Sequence, residues 1–321
     1  MTNTVLLEEE QRADRFVELV ERLSRQSVVK HFDAYADVAW DDPAYQIDPT
    51  DPRWELASDS GLGATEWYRS QPPDVRARIG LHSIATNMKA GLQFESVLKR
   101  GLLEYAFLLP DHSPEFRYAY HEVIEEAQHS LMFQEFVNRT GLDVPGLTWD
   151  LKFGARRVIG IARRFPALFF VFVLGGEDPI DHVQRTTLRS GRELHPLVER
   201  IMRIHVTEEA RHLSFARQYL RTNVPELNPR QRAAIAIQAP LILAQMAAVM
   251  MRPPRSLVRE YRIPKDALAE AYGPGSRSRE ETRESLRKVR DLLTELGLVS
   301  PQALRIWKAF SIWEEPSGNP R

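Results

Sequence analysis

Apolar residues recur at three- and four-residue spacing along most of the chain, the signature of helices with one buried face. The first such run covers residues 8–30 and predicts a surface helix. From 31 to 75 the period gives way to Asp, Pro and aromatic residues, as in AWDDPAYQIDPTDPRWEL. The tryptophans and tyrosines there need apolar surface to cover, so this stretch is expected to be ordered, mostly irregular and wrapped on the core. The helical period returns over about 75–108, stops at LLPDHSPEF, resumes over about 114–139 and ends at Thr140-Gly141. A third helical region covers about 150–188, SGRELHP interrupts it at 190–196, and a fourth helix spans roughly 196–221. Pro225 and Pro229 precede an apolar helix at 230–251. GPGSRSREE (273–281) is expected to be mobile, and one or two amphipathic helices finish the chain. No stretch alternates with a strand period. The pattern predicts an all-α protein in one domain: a four-helix core at 76–221, an N-terminal helix and wrapping segment at 1–75, and additional helices at 222–321.

Two apolar runs raise the question of a membrane. PALFFVFVLGG (166–176) is too short to span one, and AAIAIQAPLILAQMAAVMM (233–251) is interrupted by Gln238, Pro240 and Gln245. Both are expected to be buried helices of a large helical protein. Lys+Arg 43 against Asp+Glu 44 gives a net charge of -1, so no global field favours nucleic acid or an anionic membrane, and neither is expected as a partner. The N-terminal MTNTVLLEEEQRADRF turns acidic after a short apolar patch, unlike a secretory signal, and a cytoplasmic location is the expectation. The 321 residues include no cysteine. Any metal must therefore be held by histidine and carboxylate.

Two ExxH pairs offer such ligands. Glu126 and His129 lie in HEVIEEAQH, and Glu209 and His212 lie in HVTEEARH. With 28 Glu and 9 His in the chain, one ExxH is expected by chance. Both pairs, however, share a frame (EEAQHSLMF and EEARHLSFA) inside apolar helices, a weak internal repeat. At about 100° per residue, each Glu–His pair projects within about 60° on its helix, and His205 joins the face of Glu209 and His212. His121 should face elsewhere. Glu125 and Glu208, about 100° behind their neighbours, are either solvated or support the ligands from outside.

Four-helix di-metal proteins add one Glu from each of the two remaining helices. In an antiparallel hairpin, residues equidistant from the loop share a height. The first loop is centred near residue 111, so the partner of Glu126 should lie near 96, where Glu95 stands in GLQFESVL. The second is centred near 193, and reflection of Glu209 lands on Glu177, directly after FFVFVLGG. Glu104, the rival of Glu95, sits too close to the turn. Four carboxylates cancel two ferrous ions, or two ferric ions bridged by oxide, and this oxygen-rich donor set suits iron or manganese better than zinc.

Together with His205, the ligand pattern becomes E…ExxH…E…HxxxExxH: Glu95, Glu126 and His129, Glu177, then His205, Glu209 and His212. It resembles that of the ferritin-like di-iron arylamine N-oxygenases, the p-aminobenzoate N-oxygenase-like family, and DPTDPRWEL is similar to that family's N-terminal segment. The resemblance spans roughly residues 30–250. It implies that these seven residues bind two irons, with manganese as the other candidate metal. It further implies O2 activation and oxidation of a small-molecule aromatic amine through hydroxylamine toward a nitro product. Electrons would come from an external reductase or ferredoxin, and the protein would be a homodimer. The plainer reading of His205 is a core histidine hydrogen-bonded to a ligand.

Other residues qualify this picture. Pro179 should kink or restart the third helix, and Gly175 and Gly176 should add slack beside Glu177. Glu122 occupies in the repeat the position of His205; it is read as supporting the ligands, with a solvated residue, a proton carrier and an eighth ligand as the other roles. Gly91 leaves room for substrate or serves helix packing. Arg203 and Arg211 are read as surface cations rather than anchors for a substrate carboxylate. The apolar helix at 230–251 covers the site or forms an interface between copies. The competing functions are a di-metal hydroxylase, desaturase or ligand-binding oxidase acting on carbon, and a non-enzymatic ferritin-like metal-binding protein.

Overall fold

Two helical hairpins form the core of the computed structural model, which describes residues 3–59 and 61–314. In chain order the helices are α1 (Asn3–Val29), the single turn α2 (Glu66–Arg69), α3 (Pro73–Ala106), α4 (Pro114–Thr140), α5 (Trp149–Arg164), α6 (Pro166–Arg189), α7 (Pro196–Asn223) and α8 (Pro229–Met250). Five short helices follow: α9 (Arg255–Glu260), α10 (Lys265–Tyr272), α11 (Arg277–Ser285), α12 (Arg287–Glu295) and α13 (Pro301–Ala309). No strand occurs among the described residues. α3 pairs with α4 and α6 with α7, and the hairpins meet through α4 on α7 and α3 on α6. α5 runs between them along α3 and α6, while α1 covers α4 and α7. This is the predicted four-helix bundle, with one long crossover.

The helix boundaries follow from local chemistry. The Ser113 side chain accepts from Phe116 N with Pro114 in the first turn, and α4 closes at Gly141. His195 caps α7 ahead of Pro196, and Asn228 with Gln231 forms a reciprocal capping box on α8.

Two expectations change. The third helical region is two helices, because Phe165 precedes Pro166 and takes an extended φ of -149°. The chain restarts there rather than at Pro179, which sits inside α6. Residues 273–281 are not a mobile loop: after a turn at Gly273 they enter α11, where Ser278 is buried and Arg277 pairs with Asp59. Among the described residues five short helices follow α8, since Pro254, Pro264, Gly273, Gly297 and Pro301 punctuate this part, and the last two, α12 and α13, are the amphipathic helices expected to finish the chain.

α8 is long and apolar enough to cross a membrane by length and composition. Its stripe of Ile235, Ala239, Leu243 and Ala247 packs on α6 and α13, whereas Leu241 on another face is exposed. It is therefore half-buried rather than enclosed, and it covers the helix that carries Glu177.

Apolar side chains form two large clusters. One joins α1, α5, α8 and the C-terminal helices to one end of the bundle around Leu98, Phe170 and Phe215. The other joins the wrapping segment to the opposite end around Trp54, Phe136 and Ile201. The polar residues singled out in the sequence lie between them.

The wrapping segment is ordered, as its aromatic content predicts. Trp54 is buried, donates to Asp48 O at 2.8 Å and stacks on His195 with ring centroids 4.0 Å apart. Its carbonyl lies so close to α3 that a Cβ on Gly80 would stand 1.8 Å from Trp54 O. Gly80→Ala must push this backbone away and is expected to cost about 1–3 kcal/mol. Thermal unfolding measures this; an unchanged midpoint would show that the segment is not held there.

Candidate metal centre

All seven predicted ligand residues converge on one buried site. Glu95 comes from α3, Glu126 and His129 from α4, Glu177 from α6, and His205, Glu209 and His212 from α7. None is more than 1% exposed, so no water screens them. His129 Nδ1 lies 3.5 Å from Glu126, 3.6 Å from Glu209 and 4.0 Å from Glu95. His212 Nδ1 is 3.1 Å from both Glu126 and Glu209. His205 Nε2 is 3.8 Å from both Glu95 and Glu209. Glu126 and Glu209 thus stand in the middle, between the histidines of the two helices. Glu177 shares a donor cluster with His205 and Glu209, within 4.8 Å. Glu104 and His121 are only partly buried and outside these clusters.

The donor atoms fit a metal pair. Both oxygens of Glu126 and of Glu177, Glu95 Oε1, Glu209 Oε2 and His129 Nδ1 have no hydrogen-bond partner among the described residues. A buried polar atom without a partner costs free energy, and a carboxylate more than most. Two divalent cations would meet all of these atoms and neutralise the four carboxylates at once. The titration behaviour reflects the same crowding. Burial pushes Glu95, Glu177 and Glu209 above the ordinary carboxylate range, with repulsion from neighbouring carboxylates adding to it. Burial would also raise Glu126, but the adjacent His129 and His212 imidazoles overcome it and leave it lowered. Burial opposes protonation of His129 and His212, yet their carboxylate partners raise both, while His205, dominated by burial, is lowered.

Around the donors lies a set of residues that the spacing left undecided or missed. Glu208 accepts from His129 Nε2 at 2.8 Å, and Glu125 accepts from His212 Nε2 at 2.8 Å. Each carboxylate of the repeat therefore holds the imidazole of the other helix and leaves its Nδ1 facing the centre. Arg211, read as a surface cation, is 6% exposed and donates to Glu125 at 2.7 Å, with Glu208 at 3.5 Å. It is turned to these carboxylates rather than to water, because α1 covers the face of α7 that a lone helix would expose. Arg203 is on the surface as expected, paired with Glu199. Gln128, the repeat counterpart of Arg211, accepts from Ala34 N at 2.8 Å and donates to Asp33, and Phe32 N donates to Glu208 at 3.1 Å. The wrapping segment is thus fastened to the residues that orient the histidines. Lys99 donates to Ser130 Oγ and to Glu126 O, and Ser130 donates to Glu95 Oε2 at 2.9 Å.

The glycines do not supply slack. A Cβ on Gly176 would stand 2.1 Å from the Phe94 ring, and one on Gly175 would stand 2.9 Å from Leu243. Gly91 likewise faces Phe133 at 3.2 Å, and that ring lies 5.4 Å from the His205 imidazole. These are close helix contacts that fix the ligand helices. Glu122 is fully buried on α4, which overturns the solvated alternative, and burial raises its pKa to about 8.

Arg211→Gln leaves Glu125 and Glu208 without their shared cation. Breaking such a buried pair is expected to cost about 3–5 kcal/mol, read from unfolding of the metal-free protein. Metal affinity should fall roughly 10–100-fold, read by titration of the folded variant. Unchanged affinity would show that Arg211 does not act through the histidines.

The family described as p-aminobenzoate N-oxygenase AurF matches residues 14–297. Uncharacterized proteins of Mycobacterium tuberculosis and Mycobacterium bovis are each 41% identical over 302 residues, which cover 94% of this chain and 89% of theirs. No solved structure matches the chain. The family match takes in the wrapping segment, both hairpins and every residue of the centre, so the chain belongs to the AurF p-aminobenzoate N-oxygenase family and has the all-α, ferritin-like di-iron fold of that oxygenase family.

Proposed function

We propose that this protein is an O2-activating di-iron oxygenase that oxidises a small aromatic amine to its hydroxylamine and nitro products. The observation that carries this reading is the position of His205, whose Nε2 stands 3.8 Å from both Glu95 and Glu209. A generic carboxylate-bridged pair needs two histidines. A third at this place is the feature that the chain shares with the arylamine N-oxygenase pattern.

In this reading Glu95, Glu126, His129, Glu177, His205, Glu209 and His212 hold two irons. The irons supply the redox chemistry that activates O2, with electrons from an external reductase or ferredoxin. The protein's part is positional and electrostatic. Glu125, Glu208 and Arg211 keep the His212 and His129 rings turned so that Nδ1 faces the centre. Ser130, held by Lys99, fixes one oxygen of Glu95 and leaves Oε1 free for a cation. The two apolar clusters exclude water, which protects a reactive oxidant from side reactions. The third imidazole adds a donor without adding charge, so the balance of four carboxylates against two divalent ions is kept.

Purified protein should contain two irons per chain. At free iron one hundredfold above Kd, the loaded form should be more stable than the metal-free form by about 2.7 kcal/mol for each bound ion. Anaerobic reduction followed by O2 and an arylamine should give N-oxygenated product carrying label from 18O2, read by mass spectrometry. Turnover of acyl or alkyl substrates with arylamines untouched would establish carbon oxidation instead, and absence of bound iron or manganese would remove the oxygenase reading. His205→Ala should lower iron content or the single-turnover rate at least roughly tenfold. Full iron content with an unchanged rate would exclude His205 as a ligand.

A further inference from the structure

The weak repeat relates α4 to α7 at an offset of 83 residues, so that Glu125, Glu126, Gln128 and His129 correspond to Glu208, Glu209, Arg211 and His212. The structure makes the correspondence physical, since Glu125 and Glu208 exchange histidines between the helices. The same offset carries His205 onto Glu122. His205 clusters with Glu95 and with His129 of the facing helix, and Glu122 clusters with Glu126 and with His212 of the facing helix. Both sets offer three donor atoms within 4.8 Å of one another. From this geometry we infer that Glu122 is an eighth protein ligand, bound to the metal on the His212 side as His205 is bound on the His129 side. The inference rests on the di-metal reading above and extends its ligand set.

The surroundings of Glu122 leave it no other partner. It is 0% exposed, and neither of its oxygens has a hydrogen-bond partner among the described residues. Tyr118, one turn earlier on α4, does not take it, for its hydroxyl is equally unpartnered. Arg211 is committed to Glu125 and Glu208, and Lys99 to Ser130 and the backbone of Glu126. A carboxyl this deep with neither oxygen bonded is unsatisfied, and the place where a cation would meet it is among Glu122, Glu126 and His212. The two metals then differ in kind: one has an extra neutral imidazole and the other an extra carboxylate, a polarity along the pair that the seven-ligand set lacks.

The test compares wild type, Glu122→Gln and Glu122→His in anaerobic Fe2+ titrations, with Mössbauer spectra of the 57Fe-loaded proteins and thermal unfolding of metal-free and loaded forms. Wild type should bind two ions. Glu122→Gln should keep one at wild-type affinity, bind the other at least roughly tenfold more weakly, and change one iron signal while sparing the other. Its metal-free form should melt higher than wild type, because an unpaired buried carboxylate is gone, while its gain in midpoint on loading shrinks. Glu122→His, which copies the donor at the His205 position, should restore two tightly bound ions. Two ions in wild type with affinities, spectra and loading increment unchanged in Glu122→Gln would overturn this inference alone. Fewer than two ions in wild type would overturn the di-metal reading, and the inference with it. If Glu122→Gln does not fold, the titration and spectrum of Glu122→His decide: a wild-type spectrum means that residue 122 is not a ligand.

Discussion

Burying several carboxylates in one layer of a helical bundle is the constraint on which this structure depends. Each would cost several kcal/mol in an apolar interior without a cation or hydrogen-bond donors. Here Glu95, Glu122, Glu126, Glu177 and Glu209 belong to overlapping sets of donor atoms, all at most 1% exposed. The fold tolerates this because two large apolar clusters lie on either side of the layer and supply the stabilisation. The layer in turn decides which helices face each other, since its donors come from α3, α4, α6 and α7 together.

Hydrogen bonding in the layer is divided by function. Atoms turned away from the centre are satisfied: His129 Nε2 by Glu208, His212 Nε2 by Glu125, and one oxygen of Glu95 by Ser130. Many of the atoms turned toward it are unsatisfied. The outer partners themselves are fastened, Glu125 and Glu208 through Arg211, and Glu208 through the backbone of Phe32. Residues as distant as the wrapping segment therefore bear on the orientation of a donor nitrogen. Close helix contacts at Gly91 and Gly176 do the same mechanically.

Much of this was legible in the sequence, and the parts that were not share a cause. The helices of the bundle, the break at LLPDHSPEF and the termination at Gly141 are local features, so periodicity and turn chemistry reveal them. Glu95 and Glu177 were legible because hairpin geometry is rigid enough to count residues from the loop. Arg211 was misread because angular position on one helix says nothing about what covers its outer face, and α1 covers this one. Glu125 and Glu208 stayed undecided for the same reason, although their pairing with the opposite histidines was latent in the repeat. The restart at Pro166 rather than at Pro179 shows a different limit. Both prolines forbid a hydrogen bond, but Phe165 takes an extended conformation at a crossover whereas Pro179 is packed inside a buried helix. Packing decided between them.

The exchange of histidines between the repeat halves also bears on how the protein is made. His129 is held by a carboxylate 79 residues later in the chain, and His212 by one 87 residues earlier. The first hairpin to leave the ribosome, α3 with α4, thus carries a histidine that nothing yet orients. Its own Glu125 has nothing to hold until α7 has been synthesised and has docked. That hairpin brings three donors, Glu95, Glu126 and His129, without the Glu208 that turns the imidazole, and the full donor set comes together only when the second hairpin closes on the first.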